Sequence, residues 1–334
     1  MKIIRSIIFP LILLAALPAL PAHAWLRTQA TTFATLPLGA GNPEALTVDE
    51  QGNVYVTTFA GELLVFSGNG RLLRALTVAP ASGLLLDIKF HPLTGALLVV
   101  DFGAQQLLEV DPFTGSATVF ATIPGGAAAG PNVMTFDGSG NVYVSDSFQG
   151  VIWRTGPSGG AVSPWVSDPL LTTTGFPPFG ANGLAFNHDA SALFVANTGE
   201  DSIVKIPVDD AGIAGAPEVF VNAVNGPDGL IIDEHDNIWV AANQANEVVV
   251  LDPSGRMIAA LGDFGGIDSQ GAVVGLLFPS SLVRSGEFIY VTNFALDLRG
   301  FGLTQSTTSQ WAAQVTRHTV VKLRAIIPPV RGLP

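Results

Sequence analysis

Short apolar runs recur along this chain, each broken by a polar turn, and six of them share one order of residues. They read Val48-Asp-Glu-Gln-Gly-Asn-Val-Tyr-Val56, Phe90-His-Pro-Leu-Thr-Gly-Ala-Leu-Leu-Val99, Phe136-Asp-Gly-Ser-Gly-Asn-Val-Tyr-Val144, Phe186-Asn-His-Asp-Ala-Ser-Ala-Leu-Phe-Val195, Ile232-Asp-Glu-His-Asp-Asn-Ile-Trp-Val240 and Val283-Arg-Ser-Gly-Glu-Phe-Ile-Tyr-Val291. Asp, Asn, Gly and Ser accept the backbone angles of a tight turn, and the β-branched and aromatic residues beside them favour the pleated state. Each segment therefore predicts a strand, a turn and a strand. The residue after the first apolar position is Asp49, His91, Asp137, Asn187, Asp233 and Arg284, in steps of 42, 46, 50, 46 and 51.

A second hairpin follows each first one, as in Leu63–Phe66 with Leu72–Val78 and Glu247–Leu251 with Met257–Leu261. Four short strands per unit of about 45 residues are the mark of a β-propeller blade. The expectation is an all-β, six-bladed propeller with blades at roughly 37–80, 81–124, 125–172, 173–222, 223–268 and 269–327. The sixth blade lacks a clear fourth strand after Thr319–Ala325, and the strand-like segment 30–36 is expected to complete it. Residues 297–316, rich in Gly, Thr, Ser and Gln, read as a long loop or lid.

Composition narrows the function. With 37 Gly and 23 Pro in 334 residues, long helices cannot dominate. Lys and Arg number 15 against 27 Asp and Glu, and no basic cluster exists to displace counterions from a phosphate backbone, so nucleic acid is not an expected partner. The absence of cysteine removes disulfides, thiolate metal sites and cysteine nucleophiles. Lys2 and Arg5, the apolar stretch Ile7–Leu20 and the small residues around His23 read as a secretory leader over 1–24, cleaved before Trp25 to leave one domain, 25–334, in the periplasm or outside the cell. The alternative, an uncleaved membrane anchor, is disfavoured because the stretch is shorter than the roughly 20 residues a span needs, and nothing later in the chain is expected to span a bilayer.

First strands of a propeller start beside its central channel, so equivalent positions converge there. Five residues before the anchors stand Glu44, Asn132, Asn182 and Asp228; the second unit offers Leu86 with Asp87 next to it, and the sixth, aligned on Pro279, offers Ser280. Asn and Asp also cap turn amides routinely. Four polar residues in register, two of them carboxylates that would repel one another, point further, to a cation. Oxygen donors without His or Cys suit calcium before magnesium or manganese, and zinc poorly.

The run Gly226-Pro-Asp-Gly-Leu-Ile-Ile-Asp-Glu-His-Asp-Asn-Ile-Trp-Val-Ala241 resembles the fifth-blade signature of the senescence-marker protein, gluconolactonase and luciferin-regenerating enzyme family. Ala181-Asn-Gly-Leu-Ala-Phe-Asn187 and Pro43-Glu-Ala-Leu-Thr-Val-Asp49 resemble its fourth-blade and opening motifs. The resemblance implies a channel cation, usually calcium, held by Glu44, Asn182 and Asp228, with Asn132 touching substrate or a water on the metal; Asp87 and Ser280 are weaker candidates for that role. It also implies lactone or ester hydrolysis, with Asp228 as the base that prepares water. Sugar-lactone members carry an arginine where this chain has Gly130. That loss, with Phe301, Trp311 and Thr174-Gly-Phe-Pro-Pro-Phe-Gly180, favours a hydrophobic lactone or ester over gluconolactone; equally, these aromatics could serve only to cover the core.

Two function classes follow: an exported metal-dependent hydrolase acting on a small molecule, or a non-catalytic exported propeller that binds a ligand, cell-wall component or protein around a structural metal. A strictosidine-synthase-like condensing enzyme shares the six-bladed plan, but the ligand set argues against it. No phosphate loop occurs. His91, His188 and His235 are expected as exposed turn residues, and Asp101, Asp146, Asn197, Asn243 and Asn293 as turn residues of the blades.

Overall fold

The computed structural model describes residues 29–78, 82–302 and 307–327. The expected leader lies outside the described residues, as do residues 303–306 of the long loop and the side chain of Phe301.

One polar contact explains why the repeated hairpins form. Asp49 Oδ1 accepts from the backbone amides of Gln51 and Asn53, while its Oδ2 accepts from Asn53 Nδ2 at 2.8 Å and the Tyr55 hydroxyl at 3.1 Å. Asp137 repeats this with Ser139, Asn141 and Tyr143, and Asp233 with His235, Asn237 and Trp239. A single carboxylate thus satisfies the turn and fastens it to the strand that follows. Partial burial opposes ionisation of these aspartates, but the hydrogen bonds outweigh it and hold all three below the usual aspartate value. In the second unit His91 takes the place. It is buried rather than exposed: its Nδ1 accepts from the amides of Leu93 and Thr94, which leaves Nε2 to donate to the Gly140 carbonyl at 2.8 Å. His188 and His235 are exposed, as the turn positions imply.

Five four-stranded antiparallel arrays follow in chain order, at 43–77, 85–122, 131–167, 181–222 and 227–261. The sixth consists of Pro279–Ser285, Phe288–Asn293 and Thr319–Arg324, with Thr31–Thr35 as its outermost strand. The second and third arrays are not separate at their outer edges: one bridge, Gly160 to Ala121, joins them into an eight-stranded sheet. Gly159 makes the approach possible, since a Cβ there would stand 2.2 Å from the Phe120 carbonyl oxygen. A short hairpin, Phe264–Ile267 with Val273–Gly275, stands between the fifth and sixth arrays where the sequence pattern gave no strand. Within the long loop lie a 3-10 turn, Leu298–Phe301, and a helix, Thr307–Ala312. Among the described residues no helix is long and apolar enough to cross a membrane.

The first strands of the six arrays contact one another in cyclic order, the sixth touching the first. Packing follows the same cycle. Six apolar clusters each bridge one pair of neighbouring arrays, such as Leu98 and Leu107 with Met134 and Trp153, or Phe194 and Ala196 with Ile238 and Val240. Each array is apolar on both faces because each is covered on both, which is why its central strands read as near-continuous runs of Val, Leu and Ile. Hydroxyls clasp the joints nearest the axis: Thr57 donates to the Leu86 carbonyl, Ser147 to Ala181, Thr198 to Pro227 and Ser280 to Glu44. Close strand approach also explains the glycine in Asn-Gly-Leu. A Cβ on Gly183 would lie 2.2 Å from the Asp228 carbonyl oxygen.

Candidate active site

Strand register decides which side chains meet at one end of the ring. Pro43 pairs with Thr58, Leu85 with Asp101, Pro131 with Asp146, Ala181 with Asn197, Pro227 with Ala242 and Pro279 with Asn293. A bulge interrupts each ladder directly after this pair, and in units three, four and five the residue after the first-strand start meets the residue after the second-strand end. In units three, four and five these pairs are Asn132 with Ser147, Asn182 with Thr198 and Asp228 with Asn243. In units one, two and six the equivalent positions hold Glu44 and Phe59, Leu86 and Phe102, and Ser280 and Phe294. Of the five recurring Asp and Asn positions, Asn243 alone is displaced by one residue, because Ala242 fills the paired position. That displacement carries it out of the turn and into the site.

All of these residues but Ser147 and Ser280 line one cavity of about 580 Å³, part of it open to solvent, with Glu44, Asn132, Asn182, Asp228, Asn243 and Thr198 as its polar lining. Phe59, Phe102, Phe278, Phe294, Leu86 and Leu298 supply its apolar lining. The four residues aligned from sequence are brought together here. Asp87 and Ser280 are not. Asp87 Oδ2 accepts from the Met134 amide and from Lys89 Nζ, each at 2.8 Å, and Ser280 Oγ is spent on the Glu44 carbonyl and Thr292. Both face a second cavity on the other side, and Glu44 and Asp228 border both cavities, so they stand where the two meet.

The amide groups are oriented by their neighbours. Asn132 Nδ2 donates to Ser147 Oγ and Asn182 Nδ2 to Thr198 Oγ1, each at 3.0 Å, so Asn132 Oδ1 and Asn182 Oδ1 remain buried with no hydrogen-bond partner. Asn243 Nδ2 donates to Asp228 Oδ2 at 3.0 Å, and its own unpartnered Oδ1 turns toward Gly226, where a Cβ would stand 2.1 Å away. Burial raises Glu44 well above the usual glutamate value, and repulsion from Asp228 and Asp87 adds to it while Lys89 offsets part. Burial pushes Asp228 up to about 7, against the amides of Asn243 and Asn182, which favour its anion. Two buried carboxylates and two bare amide oxygens are costly without a counter-charge. As a donor set they suit a hard divalent cation held by Glu44, Asn182 and Asp228, with Asn132 beside them.

Residues 92–262, half of the chain, match the model for the SMP-30/gluconolactonase/LRE-like region. The chain belongs to the SMP-30/gluconolactonase/LRE-like family. Its residues 29–66 also match the strictosidine synthase-like N-terminal model. Lactonase drp35 of Staphylococcus haemolyticus is 31% identical over 137 residues, which are 38% of this chain and 40% of that protein, so the chain aligns with less than half the length of this curated relative. Among solved structures, a luciferin-regenerating enzyme superposes with a TM-score of 0.64 at 16% identity, covering 88% of this chain and 95% of its own. A structure described as a calcium-binding protein, regucalcin, from Agrobacterium tumefaciens gives the same score and identity over 89% and 94%. Gly130 lies under Phe148, whose ring would be 2.7 Å from a Cβ at that position. Phe148 in turn stacks on Phe179 at 5.7 Å and meets Phe102 edge-on at 5.6 Å.

Proposed function

We propose that this chain is an exported hydrolase of lactones and esters, built as a six-bladed β-propeller and dependent on a divalent cation, calcium first. The observation that carries the reading is the pair of buried, unpartnered oxygens of Asn132 and Asn182, in one cavity with two carboxylates that burial disfavours as anions. Similarity to a lactonase over part of the chain, and to the fold of a calcium-binding protein, supports it. A bound divalent cation supplies polarisation of a carbonyl and neutralisation of developing oxyanion charge.

The chain's own residues do the rest. Glu44, Asn182 and Asp228 hold the cation, and Ser147 and Thr198 keep the amide oxygens turned to the cavity by engaging the amide nitrogens. Asn243 fixes Asp228 Oδ2, so Oδ1 is the atom left to take a proton from water. As water adds to the carbonyl carbon the ring carbon–oxygen bond breaks, and the proton passes on to the leaving alkoxide, giving a hydroxy acid. The phenylalanine wall keeps bulk water from the site.

The test uses the protein purified without chelator. Bound metal is measured by mass spectrometry, and lactone and aryl-ester hydrolysis is followed before and after chelation for the wild type and Asp228→Asn. Stoichiometric divalent metal, chelator-sensitive turnover and loss of turnover in Asp228→Asn are expected. A variant as active as the wild type would remove Asp228 from the mechanism, and bound metal without turnover would make the protein a binding module.

A further inference from the structure

The cavity is divided by sector. Units four and five present Thr198 and Asn243 to it, with Ser147 of unit three behind Asn132, and units six, one and two present Phe294, Phe59 and Phe102 at the equivalent positions. The apolar sector is a packed surface. Phe59 meets Phe294 edge-on with centroids 4.7 Å apart, Phe294 touches Phe278 at 6.2 Å, and Leu298 and Leu296 close the cluster. It extends outward through Phe102, Phe148 and Phe179. Among the described residues no Arg, Lys or His lines this cavity, and its charged groups are Glu44 and Asp228. With a divalent cation balancing its two carboxylates, such a cavity offers an anionic substituent no basic side chain to pair with, and its phenylalanine half offers a polyhydroxylated ring no partners for its hydroxyls.

Resting on the reading above, we propose that the substrates are uncharged lactones or esters carrying an alkyl or aryl group of several carbons, with the carbonyl against units three to five and the apolar group against Phe59, Phe102 and Phe294. The three phenylalanines are then the specificity residues. Each can be exchanged for the residue its own fold places at the same position elsewhere in the ring: Phe59→Asn, Phe102→Ser and Phe294→Thr. Phe148, 46% exposed at the rim, can be changed to Arg to supply the missing cation with little demand on folding.

The experiment compares kcat/KM of the metal-loaded protein for γ-butyrolactone, γ-nonalactone, glucono-δ-lactone and the anionic saccharo-1,4-lactone. The wild type should prefer γ-nonalactone over each of the others by at least about thirtyfold, since each methylene in an apolar pocket is worth on the order of tenfold. Phe59→Asn and Phe294→Thr should each cut the nonalactone-to-butyrolactone ratio by about tenfold or more, mainly through KM, and Phe148→Arg should raise the saccharolactone-to-butyrolactone ratio. Hydrolysis of all four lactones without preference, or with preference for gluconolactone, overturns this inference and leaves the hydrolase reading standing. If no lactone is turned over, the hydrolase reading fails, and equilibrium dialysis of γ-nonalactone decides the rest: retention weakened by Phe294→Thr upholds the apolar sector as a ligand surface, and no retention overturns it.

Discussion

Removing the cation should make the protein lose stability as pH rises, and the cause is Asp228. The group is fully buried, and burial lifts it from an ordinary 3.8 to about 7. A raised folded-state value means that the unfolded chain gives up its proton first, so stability is complete below about pH 4 and falls until pH passes 7. About three units correspond to about 4 kcal/mol, and the part between pH 5.5 and 7 to about 2 kcal/mol. Glu44, raised by burial and by Asp228 itself, adds in the same direction. The turn aspartates Asp49, Asp137 and Asp233 are depressed, so their contribution is present above their unfolded value and constant across pH 5.5 to 8. His318 acts oppositely: burial lowers it to about 4, so its contribution is lost as pH falls below its unfolded 6.5. Comparing Asp228→Asn with the wild type at each pH cancels His318. In calorimetry of chelated protein the variant should melt on the order of 8 °C above the wild type at pH 8, with about half that gap at pH 5.5. Added calcium should stabilise the wild type more at pH 8 than at pH 5.5. A variant no more stable than the wild type at pH 8 would refute the argument, because the buried anion would then have another counter-charge.

Two further outcomes follow from the same geometry. Glu44→Gln removes one of two charged donors and should weaken calcium binding at least about tenfold in isothermal titration, with unchanged affinity refuting its role as a ligand. Gly183→Ala places a Cβ 2.2 Å from the Asp228 carbonyl oxygen, a backbone atom that cannot swing away, and should lower thermal stability by about 2–4 kcal/mol and weaken calcium binding with it; an alanine variant with wild-type melting would show that the inner strands have room to part.

Much of this architecture is legible because one carboxylate writes it repeatedly. The Asp-to-Asn and Asp-to-Tyr or Asp-to-Trp spacings are fixed by a hydrogen-bonded turn, so they survive as a sequence pattern in units one, three and five. The four aligned polar residues share a cavity because the strand register repeats with that turn. What the pattern missed depends on single-residue shifts. His91 satisfies the same turn amides with a ring nitrogen and is buried, which its residue type does not announce. Asn243 stands one place past the recurring Asp and Asn positions, and spacing alone groups it with turn residues that point elsewhere. Asp87 is next to an aligned position, but strand alternation sends neighbours to opposite faces, so it reaches across to Met134 rather than into the mouth.

The register also explains how one ring serves two chemistries. At each second-strand end the same place in the fold holds a hydroxyl, an amide or a phenyl ring, and the choice fixes what the first-strand neighbour can do. Ser147 and Thr198 engage an amide nitrogen and hand their own protons to the next unit, so the paired asparagines present oxygen. Phe59 offers no donor, and among the described residues no hydrogen bond reaches the Glu44 carboxylate beside it; burial against that wall raises Glu44 rather than steadying its anion. The apolar sector therefore acts on the polar one. It withholds the solvent and the donors that would otherwise satisfy Glu44 and so leaves that charge for a cation. A substitution such as Phe59→Asn, which brings a donor to Glu44, should accordingly weaken cation binding as well as apolar specificity, and calcium titration of that variant separates a wall that only fits the substrate from one that also tunes the metal site.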